Sequence, residues 1–150
     1  MTYQTPEDAY EAFFTHFNAQ DATAWANVMS YPHVRVSAGT GSDAYYETPE
    51  EYAASASWDR FKADGWVRTQ GIPPIRIHES IDKVHIAGGW TRYNANDEPI
   101  RSNRVTYILT LLETGWGIQA RFGTDSFENR EDSTASKDAA LLVDQSHLDA

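Results

Sequence analysis

The 150-residue chain contains no cysteine. Disulfides and thiolate metal sites are excluded, and a reducing compartment is the expectation. Basic residues are scarce: 12 Lys and Arg stand against 22 Asp and Glu, for a formal net charge of −10. An acidic surface repels phosphate backbones, so no nucleic-acid partner is expected. No apolar run approaches the roughly 20 residues of a membrane-spanning helix. The first residues, MTYQTPEDAY, are acidic and lack the apolar stretch of a signal peptide. The expected setting is cytoplasmic, with no membrane partner. No His, Asp or Glu spacing resembles a metal site, and no nucleophile elbow appears. Neither a metal nor a cofactor is expected.

What is present is aromatic. Phe, Trp and Tyr make up 13% of the residues, including five Trp and eight Tyr. Aromatics serve cores and small-molecule pockets alike. The length suits one domain. Thr5-Pro6-Glu7-Asp8 and Thr48-Pro49-Glu50-Glu51 both read as helix starts, with an N-cap threonine, proline at the first position and acids in the first turn. Glu51 is placed for a capping box. Tyr10, Phe13, Phe14 and Phe17 then form an i, i+3, i+4, i+7 stripe. Asp21 caps a short second helix carrying Trp25, Val28 and Met29, which Pro32 stops. A third helix runs from about residue 49 to about 62, with Ala54, Trp58 and Phe61 inward.

After Gly65 the period changes from 3.6 to 2. Segments 66–71, 74–81, 83–94, 100–112 and 115–123 read as strands with turn signals between them. Short connections imply antiparallel neighbours. The expected class is α+β, a curved antiparallel sheet wrapped around three N-terminal helices. The domain spans 1–123. An acidic tail over 124–150 follows, in which residues 125–150 hold seven acids and two basic residues. Within it Ala139, Leu141, Leu142 and Val143 offer a stripe for a short helix.

Strand parity locates candidate chemistry. In KVHIAGGWTRYN, Val84, Ile86, Gly88, Trp90, Arg92 and Asn94 share one face. In SNRVTYILTLLE, Asn103, Val105, Tyr107, Leu109 and Leu111 share one. The inner surface thus grades from aliphatic to polar and aromatic, and a curled sheet leaves a cavity at the polar end. Gly88-Gly89 is too short for a phosphate loop and reads as a bulge.

The segments FFTHFNAQDATAWANVMSYPHVRV, GWTRYN and VTYILTLLETGWGIQARFG, in this order of elements, resemble the nuclear transport factor 2-like superfamily. That group includes SnoaL-like polyketide cyclases, ketosteroid isomerase, scytalone dehydratase and limonene epoxide hydrolase. The resemblance covers roughly residues 5 to 123. It implies a cone-shaped domain with an internal pocket and a homodimer through the outer sheet face. Known catalytic sets do not carry over. The first strand, His33-Val34-Arg35-Val36-Ser37-Ala38, has no carboxylate where ketosteroid isomerase has its aspartate base. Arg92 has Trp90 and Asn94 beside it at parity, not the aspartates of limonene epoxide hydrolase. His33, Tyr31, Tyr107 and Asn103 echo scytalone dehydratase loosely.

Fold analogy turns His33, Arg35 and Ser37 inward; hydrophobic parity turns Val34 and Val36 inward instead, and both stay open. His33 is a candidate general acid/base near neutral pH, or a histidine making a single structural hydrogen bond. Arg92 is a candidate for a carboxylate or enolate oxygen, or for an ion pair with a helix acid. Tyr107 and Asn103 complete the set that steadies developing charge. Trp25, Tyr31, Trp58, Trp90 and Asn94 are candidate ligand contacts, with core packing the alternative for the tryptophans. Two functions follow: a cofactor-independent isomerase, cyclase or dehydratase using His33, or a non-catalytic module binding a small molecule.

Overall fold

The computed structural model describes residues 2–37 and 43–124; the acidic tail after Thr124 and the helix read into it lie outside the described residues. Helix α1 spans Pro6–Asn18. The Thr5 hydroxyl accepts from the Asp8 N–H at 3.1 Å, which satisfies one of the free donors at the helix start. Its buried stripe is Ala9, Tyr10, Phe13, Phe14 and Phe17. Asp21 caps α2 (Ala22–Ala26) through the Ala24 N–H. Thr48 caps α3 (Pro49–Ser55) through the Glu51 N–H, and the Glu51 carboxylate accepts from the Glu47 N–H at 2.9 Å.

The third predicted helix is two. Between α3 and α4 (Asp59–Ala63) the chain turns extended at Ala56. The Ser55 hydroxyl donates to the Tyr52 carbonyl at 2.6 Å, the local bond by which serine competes with a helix. The break lets Trp58 turn inward between Phe17 and Trp25, with ring centroids 5.5 and 5.7 Å away. The inward residue of α3 is Tyr52, 2% exposed, rather than Ala54. The helices therefore number four, not three, among the described residues.

The strands are β1 (Met29–Val36), β2 (Ala44–Tyr46), β3 (Trp66–Gly71), β4 (Ile75–Glu79), β5 (Lys83–Asn94), β6 (Pro99–Leu112) and β7 (Gly115–Gly123). They form one open sheet in the order β2-β1-β7-β6-β5-β3, with β4 also on β5. It is a mixed sheet rather than the antiparallel one expected, because β1 runs parallel to β7. The long excursion between those two strands permits a parallel pair, whereas hairpins elsewhere force antiparallel ones. The three-residue β2 was too short for any period to show.

Gly88 and Gly89 serve a close approach. A Cβ on Gly88 would lie 2.7 Å from the Tyr10 hydroxyl. That hydroxyl donates to the Ile72 carbonyl at 2.6 Å and accepts from the Gly89 N–H at 3.2 Å. β5 changes its partner here from β3 to β4, while its register with β6 runs on unbroken. The bulge that matters sits elsewhere. In β7, Ile118 pairs with Leu109 and Ala120 pairs with Ile108, which leaves Gln119 as an extra residue.

The class is therefore α+β, with helices packed on the inner face of a curved sheet. A core of α1 rings, Tyr52, Ile86, Tyr107, Leu109 and Ile118 fills the space between. No described helix is long and apolar enough to cross a membrane.

Candidate functional site

The extra residue at Gln119 decides the site. Without it, Ile118 and Arg121 would point to opposite faces. With it, both point inward, because a bulge resets the two-residue alternation. Arg121 then lies beside its register partners Tyr107 on β6 and Arg35 on β1. All three line a cavity of ≈ 140 Å³ between the helices and the sheet. Phe13, Phe17 and Trp25 form its helical wall, Trp90, Arg92 and Asn103 its far wall, and the exposed Arg60 with Phe61 its outer end. None of the sixteen described residues that line it is acidic.

Arg121 is held by neutral groups. Its Nε donates to His33 Nε2 at 3.2 Å, and its Nη2 donates to the Tyr52 hydroxyl at 2.8 Å. Its guanidinium lies 5.1 Å from the Phe13 ring and 6.0 Å from the Trp25 ring. The remaining N–H groups of its five-donor fork have no partner among the described residues. Arg92 is gripped differently. Its guanidinium sits 4.0 Å from the Trp90 ring and 4.4 Å from that of Phe61. Burial, then the neighbouring Arg101 and Arg60 charges, lower its pKa to about 10.

Other donors face the same space without partners. Tyr107 is 1% exposed, and its hydroxyl bonds to no described residue. Burial raises its pKa well above the usual tyrosine range, so it stays protonated. The Trp25 Nε1–H is buried and unpartnered. Among the described residues, the polar groups left open at this end of the cavity can all donate, and the charge among them is positive.

The sequence-derived candidates divide. Trp25, Trp90, Arg92, Asn103 and Tyr107 are on the cavity wall. His33, Tyr31, Trp58 and Asn94 are not. His33 is turned inward, as fold analogy suggested, but lies behind Arg121 and is 0% exposed. Its Nδ1–H donates to the Ile118 carbonyl at 2.9 Å, which leaves Nε2 as the acceptor for Arg121. Burial first, then the Arg121 and Arg35 charges, lower its pKa to about 3. Both nitrogens are thus occupied, and the ring stands behind Arg121 rather than on the cavity wall. The Tyr31 hydroxyl is tied to the Ala26 carbonyl at 2.6 Å. Trp58 belongs to the core with Phe17 and Trp66. Asn94 organises the β5–β6 turn, accepting from the Asn96 and Glu98 N–H groups at 3.0 Å.

Sequence reasoning missed Arg121 and Tyr52. Parity hid the first, since ARFG counted from Ile118 puts the arginine outside. The second stands on a helix of seven residues, too short to display a stripe. Among the described residues no group of three His, Asp or Glu is placed to hold a metal ion.

The helices packed on an open, curled sheet define the NTF2-like, cystatin-like class of α+β proteins. Within that class, the chain belongs to the family described as NTF2-like protein (DUF6841), which it matches over residues 6–125. An NTF2-like protein with a cystatin-like fold from Novosphingobium aromaticivorans superposes with a TM-score of 0.64 at 14% identity, over 88% of this chain and 84% of that one. A domain of unknown function with a cystatin-like fold from Nostoc punctiforme PCC 73102 gives 0.63 at 16% identity, over 99% and 100%. Identities this low carry the fold alone. No curated protein matches the chain.

Proposed function

We propose that the protein binds a small anionic molecule in the cavity and does not transform it. One observation carries this reading: Arg121 faces the cavity held only by a neutral imidazole and a phenol, and no carboxylate stands on the wall among the described residues. A cation taken out of water costs free energy unless an opposite charge or acceptor meets it. Arg121 is half-buried and its outward N–H groups find no acceptor among the described residues, so a bound anion that displaces water is the partner they suit. Proton transfer has less support, since His33 is neutral with both nitrogens engaged and Tyr107 is held protonated.

Trp25 and Trp90 lie on the wall, so their emission reports occupancy. Titrating the full chain at constant ionic strength with sodium benzoate, sodium butyrate and inorganic phosphate is expected to give a saturable change with at least one of them. The same anion is expected to raise Tm, because a ligand that binds only the folded state stabilises it by mass action. If none of the anions gives saturation or a Tm shift beyond a chloride control, the reading is wrong.

A further inference from the structure

The geometry points to a particular ligand class, and this rests on the anion reading above: a monocarboxylic acid with a flat apolar body about the size of one benzene ring. The carboxylate sits on Arg121 and the Tyr107 hydroxyl.

Three features lead there. The first is size. The cavity measures ≈ 140 Å³, and an apolar cavity of about 150 Å³ is filled by one benzene molecule. A body of one ring is therefore the size that the cavity suits. The second is the wall. Phe13, Phe17, Trp25 and Tyr107 offer ring surface, and the Tyr107 ring meets Phe13 edge-on at 6.4 Å. Such a surface rewards an apolar body and strips water from a charged one without replacing it. The third is the donor count at the buried end. Among the described residues, the outward N–H groups of Arg121 and the Tyr107 O–H have no hydrogen-bond partner, and the Trp25 N–H is buried and unpartnered. A carboxylate has two oxygens and accepts the guanidinium fork in parallel hydrogen bonds. Phosphate brings up to four oxygens and a second charge, more than the one outward fork of Arg121 and the Tyr107 hydroxyl satisfy, and it has no apolar body for the rings.

The pose follows from the grip on two of the four arginines that line the cavity, Arg121 and Arg92. His33 and Tyr52 hold Arg121 from behind, through Nε and one Nη. Its charge is thereby presented to the cavity in a fixed direction. Arg92 is stacked against Trp90 and Phe61. Its face is spent on the rings, so it flanks the apolar end of the ligand and raises the local potential.

Calorimetric titration of the full chain with benzoate, benzamide, biphenyl-4-carboxylate and inorganic phosphate tests this. Benzoate is expected to bind. Benzamide, of the same shape but neutral, is expected to bind at least about 30-fold more weakly, the lower range for removing one charge from a desolvated pair. Biphenyl-4-carboxylate is expected to show no binding. Arg121→Met is expected to bring benzoate down to the benzamide level. Tyr107→Phe, which keeps the ring and the packing, is expected to weaken benzoate about 5-fold and leave benzamide unchanged. If phosphate binds as well as benzoate, the carboxylate assignment is overturned while the anion reading stands. If benzamide equals benzoate, or Tyr107→Phe changes nothing, the pose is overturned. If none of the anions binds, both readings fall together.

Discussion

Arg76 on β4 and Arg121 on β7 are the same residue under opposite treatment. Arg76 lies on the outside, 40% exposed at its side chain. Its Nε and Nη2 donate to the two Glu7 oxygens at 2.7 Å, and its Nη1 donates to Glu79 at 2.6 Å. Those bonds raise its own pKa and lower that of Glu7. Arg68, another surface cation, pairs with Asp97. Arg121 lies half-buried on the inner face, where an unmatched charge costs more than at the surface, yet its hydrogen-bond partners among the described residues are a histidine and a tyrosine. In water, where a carboxylate adds little, the chain supplies carboxylates. In the cavity, where one would matter most, it supplies neutral acceptors that aim the cation without neutralising it. On the binding reading proposed above, that inversion leaves the counter-charge to be brought by the ligand.

Exchanging the side chains tests the inversion most strongly. Arg121→Met is expected to weaken benzoate by about 100-fold, whereas Arg76→Met leaves its affinity unchanged. Calorimetry on both variants checks this, and equal losses would erase the distinction. The next largest effect concerns pH. His33 has a folded pKa of about 3, below the ordinary histidine value near 6.5. Between those values the unfolded chain binds the proton and the folded chain does not. Stability from this group is therefore complete above about pH 6.5 and is lost as pH falls toward 3, by about 2 kcal/mol at pH 5. Urea unfolding at pH 7 and pH 5 should show this slope in the wild type and a shallower one in His33→Gln, which is neutral throughout. Benzoate affinity should stay flat between pH 6 and 9; a step near 6.5 would restore His33 as a titrating site group. Smaller again is Tyr52→Phe, which removes one hydrogen bond to Arg121. Benzoate should weaken by roughly 1 kcal/mol with unfolding little changed.

How far the sequence could be read divides along the same line. The α1 stripe, the two threonine caps and the inward Trp90 and Arg92 were legible, because period and parity act locally. Arg121 was illegible for a physical reason. A single extra residue at Gln119 reverses every side chain after it, and no residue type announces a bulge as proline announces a helix stop. His33 was half legible. Its type drew attention, but its face depended on β1, whose register against β7 shifts between Met29 and Val34. Its role depended on Arg121, eighty-eight positions away. Tyr52 was lost because Ser55 and the inward Trp58 end its helix early. Local rules gave the frame, and long-range register gave the charge in the cavity.

The smallest effect belongs to the outside pair and sharpens the comparison from the other side. Arg76→Met breaks the bonds to Glu7 and Glu79, three contacts at short distance. Distance alone would suggest a large loss. Exposure argues otherwise: these side chains are 40%, 39% and 58% exposed, so water already solvates the separated charges. The expected cost is at most about 1 kcal/mol, shrinking in 0.5 M salt as screening shortens the reach of the charges. Urea unfolding in low and high salt measures it. A loss of about 3 kcal/mol that salt does not reduce would mean that the Glu7–Arg76 bond anchors α1 to β4 structurally. The two arginines would then differ in location but not in kind.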